Sequence, residues 1–434
     1  MSEMHKALRG GGALLAAALL ASAPAQAAEW FDGRVKTNIL FATGFQSIEA
    51  DNGAFDPANS DTSAGFNRQR FNLQLTVHFA DWITGFVDLA EEQNDFGETF
   101  QISNDLSFID FSLLKAFDSP AANDHSLVVR GGELVSTTFN YRGYSDGAEV
   151  QGNPLIGNSP FDMVTAETGA QLIGEHRLPG LPVESVGWDF GATVPTFGEN
   201  FDGDRTFNFF AKGRVDVGFG LKLGGGFMWG DGSDQFDAND TGLNNTPLGV
   251  VNDDLLGTTE TFFGDGENYN FPGSGAGARD THQGLIPGVD YSVWMVDAEY
   301  SPQMSPLPAV FRGWFGVAED DFRFVDGAGN QSVRSQGGDI ARGDAEVRGW
   351  GLEGSVYVVP QRFYVAGRYT KVSNESNGIS GSPDLDRIQI GGGFWVHPSS
   401  LVKFEYVSQD EEEGSAGQIG EDWDGFNVEV SVKF

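Results

Sequence analysis

The last ten residues alternate strictly in polarity, and a chain that repeats this pattern has few folds open to it. From Gly425 to Phe434, Phe426, Val428, Val430, Val432 and Phe434 fall on one face and Asn427, Glu429, Ser431 and Lys433 on the other. A period of two gives a strand one apolar and one polar face. The pattern recurs upstream. Phe71, Leu73, Leu75, Val77 and Phe79 oppose Arg70, Asn72, Gln74, Thr76 and His78. Trp188, Phe190, Ala192 and Val194 oppose Asp189, Gly191 and Thr193, and Trp350, Leu352, Gly354, Val356 and Val358 oppose Glu353, Ser355 and Tyr357.

Sixteen such segments can be read along the chain. They lie near 34–45, 66–80, 83–93, 105–117, 126–134, 166–176, 185–196, 205–216, 219–230, 290–301, 308–319, 345–359, 362–373, 385–396, 400–410 and 424–434. Counting from the first strand, the odd-numbered connections are about 20, 11, 31, 8, 59, 25, 11 and 13 residues, and the even-numbered ones about 2, 8, 8, 2, 6, 2 and 3. A soluble β-sandwich has no reason to sort its loops by parity. A membrane-spanning barrel with short periplasmic turns and long extracellular loops does. The expected fold is therefore all-β: a transmembrane antiparallel β-barrel of about 16 strands, an even number that brings both termini to the periplasmic side.

The start of the chain agrees. Lys6 and Arg9 precede an apolar run from Gly11 to Ala23, and Ala25-Gln26-Ala27 is an A-x-A cleavage site. The run is too short for a spanning helix, which takes about 20 residues. Residues 1–27 read as a signal peptide and 28–434 as the barrel. Losing Lys6, Arg9 and Glu3 moves the formal charge from −36 to −37.

There is no cysteine, so a large exported chain must be held by something other than disulfides, such as an extended sheet. Sixty glycines and thirty-six phenylalanines suit short strands, turns and a lipid-facing surface with aromatic girdles. The acidity argues against nucleic acid as a partner. Taken alone it would also suit a soluble halophile-type protein, but the terminal strand speaks against that. A final strand of alternating hydrophobics closing on Phe434 resembles the assembly signal of outer-membrane proteins.

In a barrel this wide the lumen stays wet, so the polar face should line water. Inward parity assigns the wall Arg68, Arg70, Arg130, Lys212, Arg214, Arg312, Arg368 and Arg387 against Asp110, Asp297 and Glu353, among others. Over the whole wall twelve basic side chains face ten acidic ones, with Lys403, Glu405 and Glu429 among them. The excess negative charge lies in the connections, above all in 230–289. Charge ladders select ions in pores. The competing reading is a set of wall charges paired with neighbouring carboxylates.

The layout resembles the Gram-negative outer-membrane porins, and among them is most similar to the phosphate-selective porin O and P family. Arg68-Gln69-Arg70-Phe71 and Leu127-Val128-Val129-Arg130-Gly131-Gly132-Glu133 carry the likeness. The second stretch departs from the family's pattern, with Glu133-Leu134 where an aromatic is usual, and no lysine-rich cluster is evident. The resemblance implies a homotrimer passing ions and small polar solutes, with an anion such as phosphate as a candidate solute. Its partners would be outer-membrane lipids and lipopolysaccharide. It also implies that the third outer loop, near 135–165, folds into the barrel. There Tyr141, Arg142, Asp146, Glu149 and Asp162 are the constriction candidates, the aromatics anchoring the loop and the charges narrowing the path.

Other chemistries find little footing. No GxSxG or HExxH occurs, and the histidines are scattered, so no enzyme is expected. Asp231, Asp234, Asp237 and Asp240 recur every third residue and would suit Ca²⁺, but the spacing is not an EF-hand and a solvated acidic loop is the commoner origin. No cofactor is expected. The sequence thus supports a passive porin, multi-pass in the outer membrane of a Gram-negative bacterium. The alternative is a barrel serving as a surface binding or adhesion module through its acidic loops.

Overall fold

A computed structural model describes residues 28–50, 62–93, 103–135, 151–157, 166–194, 207–231, 290–324 without Met304, 340–374, 384–411 and 423–434. It opens on a short strand, β1 (Ala28–Trp30), one residue beyond the expected cleavage site. Sixteen longer strands follow: β2 (Val35–Ala50), β3 (Thr62–Ala80), β4 (Ile83–Gln93), β5 (Ser103–Ser112), β6 (His125–Val135), β7 (Ala166–Arg177), β8 (Ser185–Val194) and β9 (Asn208–Gly218), then β10 (Leu221–Asp231), β11 (Asp290–Tyr300), β12 (Ala309–Phe324), β13 (Ile340–Val359), β14 (Phe363–Asn374), β15 (Asp384–His397), β16 (Ser400–Glu411) and β17 (Trp423–Lys433).

Every strand from β2 onward pairs antiparallel with its sequence neighbours, and β17 returns to β2, from Trp423 opposite Ala50 to Lys433 opposite Leu40. The sheet is closed and has no free edge along these strands, which is what a sheet in lipid requires. β1 pairs only with the start of β2. The signal segment 1–27 lies outside the described residues.

All sixteen expected strands are present, with one internal correction. The segment read as strand to residue 117 leaves the sheet at Ser112. Leu113–Ala116 forms a helical turn, α1, and Pro120–Asn123 a 3₁₀ turn. Leu113-Leu114-Lys115-Ala116 are good helix formers without alternation. Ser119 then caps the second turn, its Oγ accepting the Ala121 N–H at 3.3 Å, with Pro120 in the first position.

The short connections fall at 81–82, 178–184, 219–220, 301–308, 360–362 and 398–399, with the α1 segment as the longest. The expected Val217–Gly218 turn sits two residues later. Gly218, Phe219 and Gly220 all have positive φ, and a Cβ on Gly220 would lie 1.9 Å from the Ser301 carbonyl oxygen. Only glycine fits there.

Alternation sorts the two faces. Along β11, Trp294 and Val296 are 39% and 50% exposed, whereas Val293 and Met295 are 1% exposed. Around the ring Phe41, Phe227, Phe315, Leu352, Ile390, Phe404 and Phe426 share the exposed outer face. The inner face holds Arg70, Asn72, Asp88, Gln171, Asp189, Glu353, Arg368, Arg387, Lys403, Glu405 and Glu429. A polar interior under an apolar surface inverts the order of a water-soluble protein and suits a barrel in lipid. The inner face is not uniformly polar, however: Leu40, Ala42 and Trp314 also point inward.

Candidate functional site: the charged lumen and the segment seated in it

The inner charges form pairs, and the pairs join into rows. On β10–β14 one row runs unbroken. Lys222 Nζ lies 3.1 Å from Glu299, Arg312 Nε donates to Glu299 Oε2 at 2.9 Å, and Arg312 Nη1 donates to Glu353 Oε1 at 2.7 Å. Arg368 completes it, its Nε 2.8 Å from Glu353 Oε2 and its Nη2 also bonded to that carboxylate. The strand register places Arg312 opposite Glu353 and Glu353 opposite Arg368, so each guanidinium faces a carboxylate across one ladder rung. Bidentate and charge-assisted bonds of this kind are the strong ones.

Elsewhere on the wall the rule holds. Arg130 grips Asp110 through Nε at 2.7 Å and Nη2 at 2.9 Å, with its guanidinium 3.7 Å from the Phe108 ring centroid. Asp189 is shared by Lys212 at 3.6 Å and Arg214 at 3.5 Å. Lys403 meets Glu429 at 3.2 Å. Near β2–β4 the network is neutral on one side: Asn72 Nδ2 donates to Asp88 at 2.5 Å and Gln74 Nε2 at 3.0 Å. Charges removed from water this far need such partners.

Of the wall residues expected from parity, Arg70, Arg130, Lys212, Arg214, Arg312, Arg368, Arg387, Asp110, Asp297 and Glu353 all lie on the inner face. Arg68 belongs to β3, but its side chain is outside the described ones. The ladder of independent cations that the sequence allowed is replaced, for Arg130, Lys212, Arg214, Arg312 and Arg368, by cations bonded to carboxylates.

The third long connection contributes a stretch inside the barrel. Gln151-Gly152-Asn153-Pro154-Leu155-Ile156-Gly157 lies against the inner face of β13–β17. The N–H groups of Ile156 and Gly157 both donate to Glu405 Oε2, at 2.5 and 3.1 Å. Two successive amides on one carboxylate oxygen form a small anion nest. The carbonyls are met by cations and an amide. Lys403 Nζ donates to Leu155 O at 2.9 Å and Asn153 O at 3.4 Å, while Gly157 O accepts from Arg368 Nη1 at 2.9 Å and Gln389 Nε2 at 3.2 Å. An irregular backbone buried away from water must have its polar groups satisfied, and here the wall satisfies them.

The apolar anchor is Leu155. It is 1% exposed and packs in a pocket of Tyr364, Ala366 and Leu401, with Tyr357 and Trp395 around it. Gly391 makes room: a Cβ there would lie 3.1 Å from Leu155 Cδ2 and 2.3 Å from the Phe404 carbonyl oxygen. At its lower end Gln151 Nε2 donates to the Ser399 carbonyl at 3.1 Å and to Ser431 Oγ at 3.2 Å. Ser399 lies in the short turn between β15 and β16, so a loop that leaves the long-loop end reaches the opposite rim.

The sequence indicated a loop in the lumen but assigned its anchoring to aromatics. In the described stretch the anchor is a leucine, and the aromatics are on the wall. Tyr141, Arg142, Asp146, Glu149 and Asp162 lie outside the described residues, as do Asp234, Asp237 and Asp240 and the Asp231 side chain. Among the described residues no three His, Cys, Asp or Glu side chains cluster as metal ligands.

No protein-family model matches the sequence, and no curated protein matches it. Solved structures do. The anion-selective porin from Comamonas acidovorans is similar with a TM-score of 0.52 at 12% identity, over 92% of this chain and 99% of that one. The outer-membrane channel DcaP of Acinetobacter baumannii gives 0.51 at 9%, over 94% and 100%. OmpT of Vibrio cholerae, folded in vitro and in its trimer form, gives 0.50 at 10%, over 92% and 99%. At these identities the likeness is one of fold alone, a closed antiparallel β-barrel of the kind found in these outer-membrane proteins.

Proposed function

We propose that this chain is a porin: a water-filled channel in the outer membrane of a Gram-negative bacterium, passing ions and small polar solutes by passive diffusion. One observation carries the reading. A closed sixteen-strand barrel with an apolar exterior encloses a charged interior, against which the stretch 151–157 is seated. Sixteen strands leave an aqueous lumen that eight would fill with side chains. The neighbours described as porins and channels support the same reading, and the trimer form of one supports a homotrimer. No catalytic role is assigned to the chain.

Selectivity follows from the pairing. Arg130, Arg312 and Arg368 each share a carboxylate, so the wall presents dipoles rather than a column of positive charge. This favours a weakly selective pore over a phosphate filter. Reconstituted in a planar bilayer, the protein should give stepwise conductance and, in a KCl gradient, a reversal potential near zero. A reversal potential close to the chloride limit would replace weak selectivity by an anion filter. Deleting 232–289 separates the pore from the surface binding module: a pore keeps conducting, whereas a silent barrel whose ligand binding vanishes with the loop is the module.

A further inference from the structure

Over Leu155-Ile156-Gly157 the wall meets the seated stretch chiefly through its backbone. Ile156 and Gly157 give their N–H groups to one oxygen of Glu405. The Leu155 carbonyl accepts from Lys403 Nζ at 2.9 Å, and the Gly157 carbonyl accepts from Arg368 Nη1 at 2.9 Å and Gln389 Nε2 at 3.2 Å. These four wall side chains come from β14, β15 and β16, and each is at most 3% exposed. One side chain of the three is held in a pocket: Leu155, among Tyr364, Ala366 and Leu401.

This is the chemistry of a peptide-binding groove. Main-chain bonds supply affinity whatever the sequence, and a pocket for one side chain supplies preference. Bonds from a carboxylate, an ammonium and a guanidinium are of the stronger, charge-assisted kind. A free tripeptide laid in the place of Leu155-Ile156-Gly157 meets the same partners. Its first side chain enters the pocket of Tyr364, Ala366 and Leu401, and its first carbonyl takes Lys403. Its two amide N–H groups take Glu405. Its terminal carboxylate stands where the Gly157 carbonyl now faces Arg368 and Gln389, and so places a negative charge on a guanidinium. The Leu155 N–H is turned to Asn153 Oδ1 of the stretch itself, at 3.2 Å, so a free amino terminus there displaces no wall contact.

We infer that this part of the wall is a recognition site for short peptides with an apolar first residue, and that the stretch 151–157 occupies it as an internal competitor. The inference deepens the pore reading above and rests on the lumen being open to solutes. Small peptides are then a preferred class among the polar solutes that enter. Competition sets the scale. A tethered segment acts at an effective concentration on the order of millimolar, and a free peptide binds only in proportion to the fraction of barrels whose site is vacant. Removing the stretch should therefore strengthen peptide binding. A strap with a purely structural role predicts no peptide binding with or without it.

The test adds the tripeptide Leu-Ile-Gly to the KCl current through the wild type and through a full-length variant in which 151–157 is an equal length of Gly-Ser. The variant should be blocked at a concentration at least about tenfold below that needed for the wild type, as loss of a tethered competitor requires. Asp-Ile-Gly puts a carboxylate in the apolar pocket, and the C-terminal amide of Leu-Ile-Gly withdraws the charge from Arg368. Each should block the variant about tenfold less well. No block of the variant, the same threshold in both proteins, or equal block by either altered peptide overturns the site. Titration calorimetry of the same barrels in detergent keeps the two readings apart. Silent barrels that bind Leu-Ile-Gly in that order of preference sink the pore and leave the site. Conducting barrels that show neither block nor heat sink the site and leave the pore.

Discussion

At the scale of single residues the outcome turns on Glu405. Its carboxylate accepts two backbone N–H groups of the seated stretch, and each bond to a charged group is worth about 1.5–3 kcal/mol. Glu405→Ala leaves both amides without an acceptor inside the barrel. The stretch should loosen, and single-channel conductance should rise and become noisier, while Glu405→Gln, which keeps one oxygen acceptor, should fall between the two. An unchanged current record for Glu405→Ala would remove Glu405 from the account. Gly391→Val is a steric counterpart. Its Cβ meets the Phe404 carbonyl oxygen and Leu155, so it should lower folding yield and unseat Leu155, read as a drop in the urea midpoint together with greater protease sensitivity near 151–157. None of this was legible in the sequence beyond parity. Lys403 and Glu405 fall on the polar side of an alternating strand, but Leu155 and Ile156 lie 248 and 249 residues away, and no local pattern links them.

At the scale of elements the sequence was far more informative, because alternation is local and lipid enforces it. Each of β2–β17 lies where a period of two placed it, and the seam between β17 and β2 joins the strand that opened the reading to the first long strand. The reading failed where alternation stopped being the controlling signal. Leu113-Leu114-Lys115-Ala116 continue an apolar run into α1, since past the membrane rim nothing compels a strand and helix propensity decides. The two-faced strand is directly testable on adjacent residues of β3. Leu75 faces outward and Thr76 inward. Leu75→Arg places a charge in hydrocarbon and should cost about 2–4 kcal/mol near the midplane. Thr76→Arg points into the lumen and should cost far less. Urea titration of the folded, heat-modifiable band in liposomes measures both, and equal losses would contradict the assignment of faces.

The barrel as a whole joins a closed ring of sixteen strands to a segment seated inside it. Strand count gives the ring: sixteen alternating segments supplied the count, and the parity of the connections supported it. The seated stretch runs from Gly157, held at mid-strand by Arg368, Gln389 and Glu405, to Gln151, which meets Ser399 at the short-turn rim, a path no sequence period encodes. Against the acidity of the whole composition, the described wall bonds Lys212, Arg312 and Lys403 to carboxylates. The measurement that bears most directly on the account is single-channel conductance of the purified wild type beside a variant in which 151–157 is replaced by an equal length of Gly-Ser. An open pore narrowed by a seated segment predicts discrete conductance steps for the wild type and larger steps for the variant, each rising with salt concentration. A wild type that gives no steps, or a variant whose steps match the wild type's, would contradict it.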